Sequence, residues 1–182
     1  LLGMGNLANL LAATAVALEF GVPVGAIAEA ARGLSAAPRR GEVLRLPGGL
    51  TLVDDSYNSS PSALQRSLDV IARSWAARHI AVLGEMLELG ELSMPLHESC
   101  GRAAAEARLW RLITIGGAPA RAMGEAAIGA GMKRDAVIHF DNSTEAAPAV
   151  ASMLTSGDVV LVKGSRGTRT DVVVERLTAA FS

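Results

Sequence analysis

Apolar residues follow two different periods along this chain, and the change between them divides it. Over residues 6–20 they recur at helical spacing, and a second, shorter helical pattern covers residues 24–33. A segment with proline, glycine and paired arginines follows at 34–41 and predicts a linker. We therefore expect two helices within 1–39, which have no sheet of their own and end a preceding domain, and a second domain at 40–182.

Beyond the linker, short apolar segments alternate with amphipathic ones. Two β segments at 42–46 and 50–54, separated by Pro47-Gly48-Gly49, predict a hairpin. Further strands are predicted at 79–83, 111–115, 136–140 and 158–162, and helices at 62–73, 94–107, 119–130, 144–154 and 171–180. Strands that alternate with helices at this spacing predict an α/β fold, with a mostly parallel sheet covered by helices on both faces.

Polar and glycine residues gather where four of the predicted strands end. These ends are Asp54–Asn58, Gly84–Gly90, Gly116-Gly117 and Lys163–Gly167. Because the carboxyl ends of parallel strands share one edge of a sheet, we expect these residues to line a single rim. A rim with carboxylates, a lysine and an arginine suits an anionic or zwitterionic ligand.

Two interpretations of Asp54 and Asp55 remain open on local grounds. The carboxylates either cap the turn before the next helix or accept hydrogen bonds from a polyol such as a ribose. Tyr57, the only tyrosine, either packs with its hydroxyl in water or stacks on a base or sugar.

The role of the cationic residues at the end of the last predicted strand is also undecided on local grounds. Lys163 and Arg166 either cap a turn, pair with Asp171 or bind a ligand. Glu85 and Glu88 are most simply explained as acids of a solvated loop, with a catalytic role as the less favoured alternative.

Composition narrows the classes of function. The net charge of −1 provides no global basic field for nucleic acid, and no apolar segment predicts a membrane span. Cys100 is the only cysteine, which excludes an internal disulfide and a cysteine metal cage and fits a cytoplasmic setting. No cluster has metal-ligand spacing, so we predict no metal site, and His97 is interpreted as a surface or core residue. No Gly-x-x-x-x-Gly-Lys-Ser/Thr motif occurs, so residues outside this sequence would hold the phosphates of a bound nucleotide.

Four motifs resemble, in the same order, segments of the Mur ligase family. They are Gly5–Ala13, Asp54–Asn58 with Pro61, Val82–Gly90, and Leu161–Arg166. The resemblance covers nearly the whole chain and is closest to the branch that joins D-alanyl-D-alanine to UDP-MurNAc-tripeptide.

The resemblance implies the C-terminal part of a bacterial, cytoplasmic, ATP-dependent amide-forming ligase of peptidoglycan precursor (cell-wall) synthesis. The family has a UDP-sugar-binding N-terminal domain, a central ATPase domain with the phosphate loop, and a Rossmann-like C-terminal domain. Residues 40–182 would be the C-terminal domain and residues 1–39 the end of the central domain, and the rest of the central domain and the N-terminal domain would be their partners in the same protein. In the implied reaction, with Mg²⁺ present, ATP phosphorylates the tripeptide carboxylate and the amine of D-alanyl-D-alanine attacks the acyl phosphate. We expect this stretch alone to be inactive and to bind nucleotide or dipeptide weakly at most.

The same resemblance implies site residues, none of them assigned with certainty to catalysis and none to a metal. Asn9 would contact the adenine edge, Asp55 the ribose hydroxyls, and an arginine fork would suit the carboxylate of the dipeptide. The implied ATP-binding residues are Asn9, Arg40, Asp55, Tyr57 and Asn58, and the implied substrate-binding residues are Lys163, Ser165 and Arg166.

The chain departs from the family pattern at three places. Gly5 stands where the family usually has histidine, Arg39 replaces the glycine before Arg40, and Ser59-Ser60 replace Ala-Asn. The arginine pair makes the choice between Arg39 and Arg40 for the nucleotide less certain, and Gly5 removes any role of the imidazole.

Two other interpretations are kept. One is a different ligase of the same superfamily, of another Mur type or of the folylpolyglutamate type. The other is a non-catalytic α/β binding module, which would explain the fold but not the clustering of Asp55, Tyr57, Lys163 and Arg166. A phosphate loop upstream of Leu1 would favour a ligase over the binding module.

Overall fold

The computed structural model describes residues 3–182, with side chains from residue 5 onward; Leu1 and Leu2, which begin the predicted 1–39 segment, lie outside the described residues. The predicted α/β fold is confirmed, and each predicted helix and strand is present to within a few residues. The elements are α1 (Gly3–Glu19), α2 (Val24–Arg32), β1 (Glu42–Leu46), β2 (Leu50–Asp55), α3 (Pro61–Ala72), β3 (Arg78–Gly84), α4 (Ser93–Glu106), β4 (Arg111–Ile115), α5 (Ala118–Gly129), β5 (Val137–Phe140), α6 (Ser143–Met153), β6 (Asp158–Lys163) and α7 (Asp171–Ala180).

One sheet organises the domain, with the strand order β1-β2-β6-β3-β4-β5. Strand β1 pairs antiparallel with β2 at one edge, and all other neighbours are parallel. Strands β2 and β3 are consecutive in sequence but are not neighbours in the sheet, because the last strand, β6, lies between them. Ligands of open α/β sheets bind beyond the carboxyl ends of strands where the winding reverses. Strand β6 is therefore flanked by the favoured place for a site.

The two faces of the sheet carry separate apolar cores. Helices α3, α4 and α5 pack on one face, and α6 and α7 pack on the other. On β2, Leu52 faces α6 and α7 while Val53 faces α3; on β6, Val162 and Leu161 divide in the same way. Because successive side chains of a strand point to opposite faces, the polar residues that end β2 and β6 also divide between the two faces.

The first two helices differ from the sheet domain in burial. From residue 5 onward, α1 and α2 contain no buried residue, and Phe20 between them is 82% exposed. Helix α1 reaches the sheet domain through its contact with α3. The boundary between residues 39 and 40 stays a prediction, which this difference supports. None of the helices in the described part of the chain is long and apolar enough to cross a membrane.

Candidate functional site

The carboxyl ends of β2, β6, β3 and β4 lie side by side along one edge, as the sequence predicted. Hydrogen bonds join three of these ends. The Ser165 amide donates to the Glu85 carbonyl at 3.2 Å, and the Ser165 hydroxyl accepts from the Leu87 amide at 2.9 Å. The Glu85 carboxylate accepts from the Gly117 amide at 2.6 Å, at the start of α5. Glu85 and the buried Ser165 thus hold the rim together.

The backbones of β3 and β6 approach closely just beyond their last residues. A Cβ atom built on Gly164 would lie 3.0 Å from the Gly84 Cα. It would also lie 2.8 Å from the Thr168 hydroxyl. The packing of the rim therefore requires glycine at both position 84 and position 164.

Asp55 and Lys163 form an ion pair at the end of β2 and β6. They are partners in the parallel register, so both side chains point to the α3 face. The Lys163 Nζ donates to Asp55 Oδ2 at 2.7 Å and to the Asn58 carbonyl at 3.0 Å, and the Ser67 hydroxyl donates to the same Oδ2 at 3.0 Å. The Lys163 side chain is 3% exposed and that of Asp55 is 20% exposed.

This arrangement differs from the sequence-based expectations for Lys163. The lysine is buried and pairs with Asp55, not with Asp171, and its predicted contact with substrate stays a prediction. The reason is the register: a lysine directly beside an aspartate on the same face of a sheet reaches the carboxylate before it reaches solvent.

A groove of about 380 Å³ opens on this same face. Asn9 of α1, Arg40 of the linker and Asp55 of β2 line it, with Arg66 and Ser67 of α3 opposite. Three residues predicted to bind ATP thus come from three separate segments to one cavity. Gly5 also lines the groove, and a Cβ there would lie 3.4 Å from the Arg66 Nε, so the missing side chain leaves space beside Arg66.

Asp54 points to the opposite face and has a different role. Its Oδ1 accepts hydrogen bonds from the Ser56 amide at 3.1 Å and the Ser56 hydroxyl at 2.6 Å, which closes the turn after β2. Burial raises the pKa of Asp54 above 3.8, and the two bonds from Ser56 only partly oppose this effect. Of the two interpretations of the carboxylate pair, the turn describes Asp54, while Asp55 faces the groove.

A second cavity, of about 530 Å³, lies on the α7 side of the β2 end; we name it the arginine pocket. Its lining residues are Pro38, Arg39, Ser56, Tyr57, Arg166, Arg169 and Asp171. Arg39 is paired with Asp171 at 3.0 Å and with Glu175 at 3.4 Å. Within residues 5–182 the exposed guanidinium of Arg166 has no ion-pair or hydrogen-bond partner. The pocket therefore offers a free cation beside a partly exposed aromatic ring.

Arg40 and Tyr57 meet at the boundary between the two cavities. The Arg40 guanidinium lies 4.1 Å from the centre of the Tyr57 ring, at the distance of a cation–π contact. Arg40 lines the groove and Tyr57 lines the arginine pocket. The Tyr57 amide also donates to the Arg39 carbonyl at 3.1 Å, which fastens the linker to the end of β2.

The backbone accounts for the departure at Arg39. Arg39 has φ +62, in the left-handed region where glycine is favoured, so the glycine of the family pattern has a steric reason. The arginine adds ion pairs to α7 that glycine would lack. Of the two adjacent arginines, Arg40 is the one that reaches the groove.

Sequence reasoning missed several residues of the two cavities. Ala63, Arg66, Ser67 and Val70 line the groove and follow the spacing of one helix face, so the periodicity of α3 contained a usable signal. Arg169 in the arginine pocket carried no such signal, because it lies in a turn with φ +54.

His97 is a core residue with both ring nitrogens bonded. Its Nε2 accepts from the Met86 amide at 2.9 Å, and its Nδ1 lies 2.7 Å from the Ser93 carbonyl. Through the bond to Met86, His97 holds the loop that follows β3. In the described part of the chain, no group of three or more His, Cys, Asp or Glu side chains is placed to hold a metal ion.

The comparisons with known proteins agree with this arrangement. The family model for the Mur ligase glutamate ligase domain matches residues 39–166. The UDP-N-acetylmuramoyl-tripeptide–D-alanyl-D-alanine ligase of Bacillus subtilis is 30% identical over 97% of this chain, and that of Mycobacterium tuberculosis is 36% identical over 97%. The chain spans 38% of the length of each of these relatives.

Solved structures show the same likeness in three dimensions. The MurF ligase of Thermotoga maritima, in complex with ADP, superposes with a TM-score of 0.80 and 29% identity over 99% of this chain and 39% of its own. MurF of Acinetobacter baumannii gives a TM-score of 0.82 and 26% identity over 97% of this chain and 38% of its own. Matched motifs, fold and family model lead to one conclusion. This chain belongs to the Mur ligase family and carries its C-terminal glutamate ligase domain.

Proposed function

We propose that this chain is the C-terminal part of a MurF-type enzyme, which uses ATP to join D-alanyl-D-alanine to UDP-MurNAc-tripeptide in the bacterial cytoplasm. The activities of the relatives described above and the ADP bound in one similar solved structure support these substrates. In this proposal residues 1–39 complete a central ATP-binding domain and residues 40–182 form the C-terminal domain.

The observation that carries the proposal is the groove. Asn9, Arg40 and Asp55 are separated in sequence and yet line one cavity. Asp55 accepts hydrogen bonds through its carboxylate, Asn9 both donates and accepts through its amide, and Arg40 adds positive charge. This set matches a ribose, a base edge and the start of a phosphate chain.

In this proposal the groove binds the nucleoside part of ATP, and residues outside this sequence bind the phosphates. When bound, ATP supplies the phosphoryl group that activates the tripeptide carboxylate. Tyr57 holds the Arg40 guanidinium over its ring, at the mouth of the groove. Asn58 contributes its carbonyl to the Lys163 ammonium, which fixes the loop beside Asp55. No described residue is proposed as a ligand for Mg²⁺.

The arginine pocket supports the dipeptide site. Arg166 is exposed and its guanidinium makes no ion pair or hydrogen bond within residues 5–182, so it is available for a two-bond contact with a carboxylate. Ser165 contributes indirectly, because its hydroxyl and amide hold the adjacent loop in place. Arg166 would bind the C-terminal carboxylate of D-alanyl-D-alanine and leave the amine free to attack.

The test uses the full-length ligase that carries this chain, with phosphate release measured against UDP-MurNAc-tripeptide, D-alanyl-D-alanine and ATP. Arg166→Ala should raise the KM for D-alanyl-D-alanine roughly 10- to 100-fold, because a charge-assisted contact contributes about 1.5–3 kcal/mol. The KM for ATP should not change.

Arg176→Ala is the matched control, since Arg176 is an exposed arginine of α7 outside the arginine pocket. It should leave both KM values at the wild-type level. Absence of ligation by the wild-type enzyme would refute the proposed function. An unchanged dipeptide KM in Arg166→Ala would refute the placement of the dipeptide.

A further inference from the structure

Lys163 does not line the groove but donates to Asp55, which does, and this place differs from the substrate contact that its motif suggested. We propose that Lys163 is a positioning residue for ATP, which acts through Asp55 and does not itself touch a ligand. This inference rests on the proposed function, because it takes the groove as the site of the nucleoside. Its first support is the register, which sets the two side chains next to each other on the α3 face.

The hydrogen bonds on Asp55 are all on one side of the carboxylate. The Lys163 ammonium and the Ser67 hydroxyl both donate to Oδ2, at 2.7 and 3.0 Å. Among the residues that the structure describes, neither bond uses Oδ1, and Asp55 lines the groove. Two donors on one oxygen fix the rotation of the side chain and leave the other oxygen for a ligand hydroxyl. A contact held in place before the ligand arrives does not lose that freedom on binding.

The charge of Lys163 serves the same end. The Lys163 ammonium lies 2.7 Å from the Asp55 carboxylate and balances its negative charge where the side chain is only 20% exposed. A carboxylate makes shorter and stronger hydrogen bonds to hydroxyl groups than a neutral acceptor does.

The ammonium also restrains the loop after β2. Its second bond goes to the Asn58 carbonyl at 3.0 Å, one residue after the aromatic ring that contacts Arg40. With both bonds made and 3% of its side chain exposed, Lys163 has no path to a dipeptide in the arginine pocket. The pair Asp55–Lys163 lies on the α3 face, and Arg166 opens to the α7 face.

The experiment compares two nucleotides in the full-length ligase. Steady-state KM values are measured for ATP, for 2′,3′-dideoxy-ATP and for D-alanyl-D-alanine, in the wild type and in Lys163→Met, Asp55→Asn and the double variant. Lys163→Met should raise the KM for ATP roughly tenfold and change the KM for dideoxy-ATP less than twofold, because only ATP offers ribose hydroxyls to Asp55. The double variant should be no worse than Asp55→Asn, since both act through one contact.

Two further variants control for misfolding of Lys163→Met and for a general effect of replacing a lysine. Ser67→Ala removes the other donor to Oδ2 without a buried charge, and should raise the KM for ATP a few-fold while the KM for dideoxy-ATP stays constant. This result keeps the proposal testable if Lys163→Met does not fold. Lys133→Met changes the only other lysine, which is exposed, and should behave as the wild type.

Three outcomes would overturn the inference. A higher KM for D-alanyl-D-alanine in Lys163→Met, with normal discrimination between ATP and dideoxy-ATP, would make Lys163 a substrate contact and leave the proposed function standing. Equal KM values of the wild type for the two nucleotides would remove the ribose role of Asp55. Independent, additive effects of Lys163→Met and Asp55→Asn on discrimination would show that the lysine does not act through the aspartate.

Discussion

The groove and the arginine pocket lie on opposite faces of the same strand end, and they differ in how the charged group that we propose to contact a ligand is held. At the groove, Asp55 is paired with Lys163 before any ligand is present, and the Lys163 side chain is 3% exposed. In the arginine pocket Arg166 and Arg169 are exposed to solvent. A paired and buried charge defines one geometry but makes stability depend on both partners, whereas an exposed arginine adapts to its ligand at little risk to the fold.

The alternation of β2 produces this difference. Asp54 and Asp55 are adjacent in sequence, and the pleat sends one to each face. Asp54 closes a turn beside the arginine pocket, and Asp55 joins the ion pair in the groove. Three experiments test this comparison, and they follow from the largest expected effect to the smallest.

The largest effect on stability is expected from Asp55→Asn. It removes the negative charge beside the buried ammonium of Lys163, which keeps only neutral acceptors such as the Asn58 carbonyl, and removal of one partner of a buried pair costs about 3 kcal/mol. Urea unfolding of the chain measures this loss. Arg166→Ala, the matched change on the other face, should alter the free energy of unfolding by less than about 0.5 kcal/mol. Equal losses in the two variants would contradict the comparison.

A smaller effect separates two substitutions of Arg39. Arg39→Ala and Arg39→Gly both remove the ion pairs to Asp171 and Glu175, but only glycine adopts φ +62 without strain. The glycine variant should therefore be more stable than the alanine variant by about 1 kcal/mol, measured by urea unfolding. An alanine variant as stable as the glycine variant would show that the linker does not keep this backbone conformation.

The smallest effect is expected from Asp54→Asn and depends on pH. Because burial raises the pKa of Asp54 above 3.8, the folded state holds this proton more tightly than the unfolded state. Ionised Asp54 therefore opposes folding, and this penalty is absent below pH 3.8 and grows as the pH rises through the folded pKa.

Asparagine keeps an acceptor for both bonds from Ser56 and does not titrate. Relative to the wild type, the Asn variant should gain stability between pH 4 and pH 7, by less than about 1 kcal/mol. Urea unfolding at several pH values measures the gain. A difference that does not change with pH would refute the assignment of the burial effect to Asp54.

The fold was largely accessible from the sequence, because strong apolar periods separate helices from strands. Even α6 follows its predicted limits despite Pro148. The shared rim followed from the parallel strands alone. Asp55 and Lys163 were expected on this one rim, and the register places them there side by side.

The details of the two cavities were less accessible, for physical reasons. Which residue of β6 lies beside Asp55 depends on strand register, and a shift of one residue would have turned Lys163 to the other face. Arg39 and Arg169 enter the arginine pocket through left-handed backbone, which neither residue type indicates. All the predicted ligand contacts stay predictions, namely those of Asn9, Arg40, Asp55, Tyr57, Asn58, Lys163, Ser165 and Arg166.

The contact between Arg40 and Tyr57 has a practical consequence. Tyr57 is the only tyrosine of the chain, and its ring touches a groove residue while it lines the arginine pocket. Fluorotyrosine incorporated into this chain would therefore give a single fluorine resonance, placed where the two cavities meet. If the proposed ligand placements hold, nucleotide and dipeptide, added at concentrations high enough for the weak binding expected of this chain, would each shift that signal, so one spectrum would follow the order in which they bind.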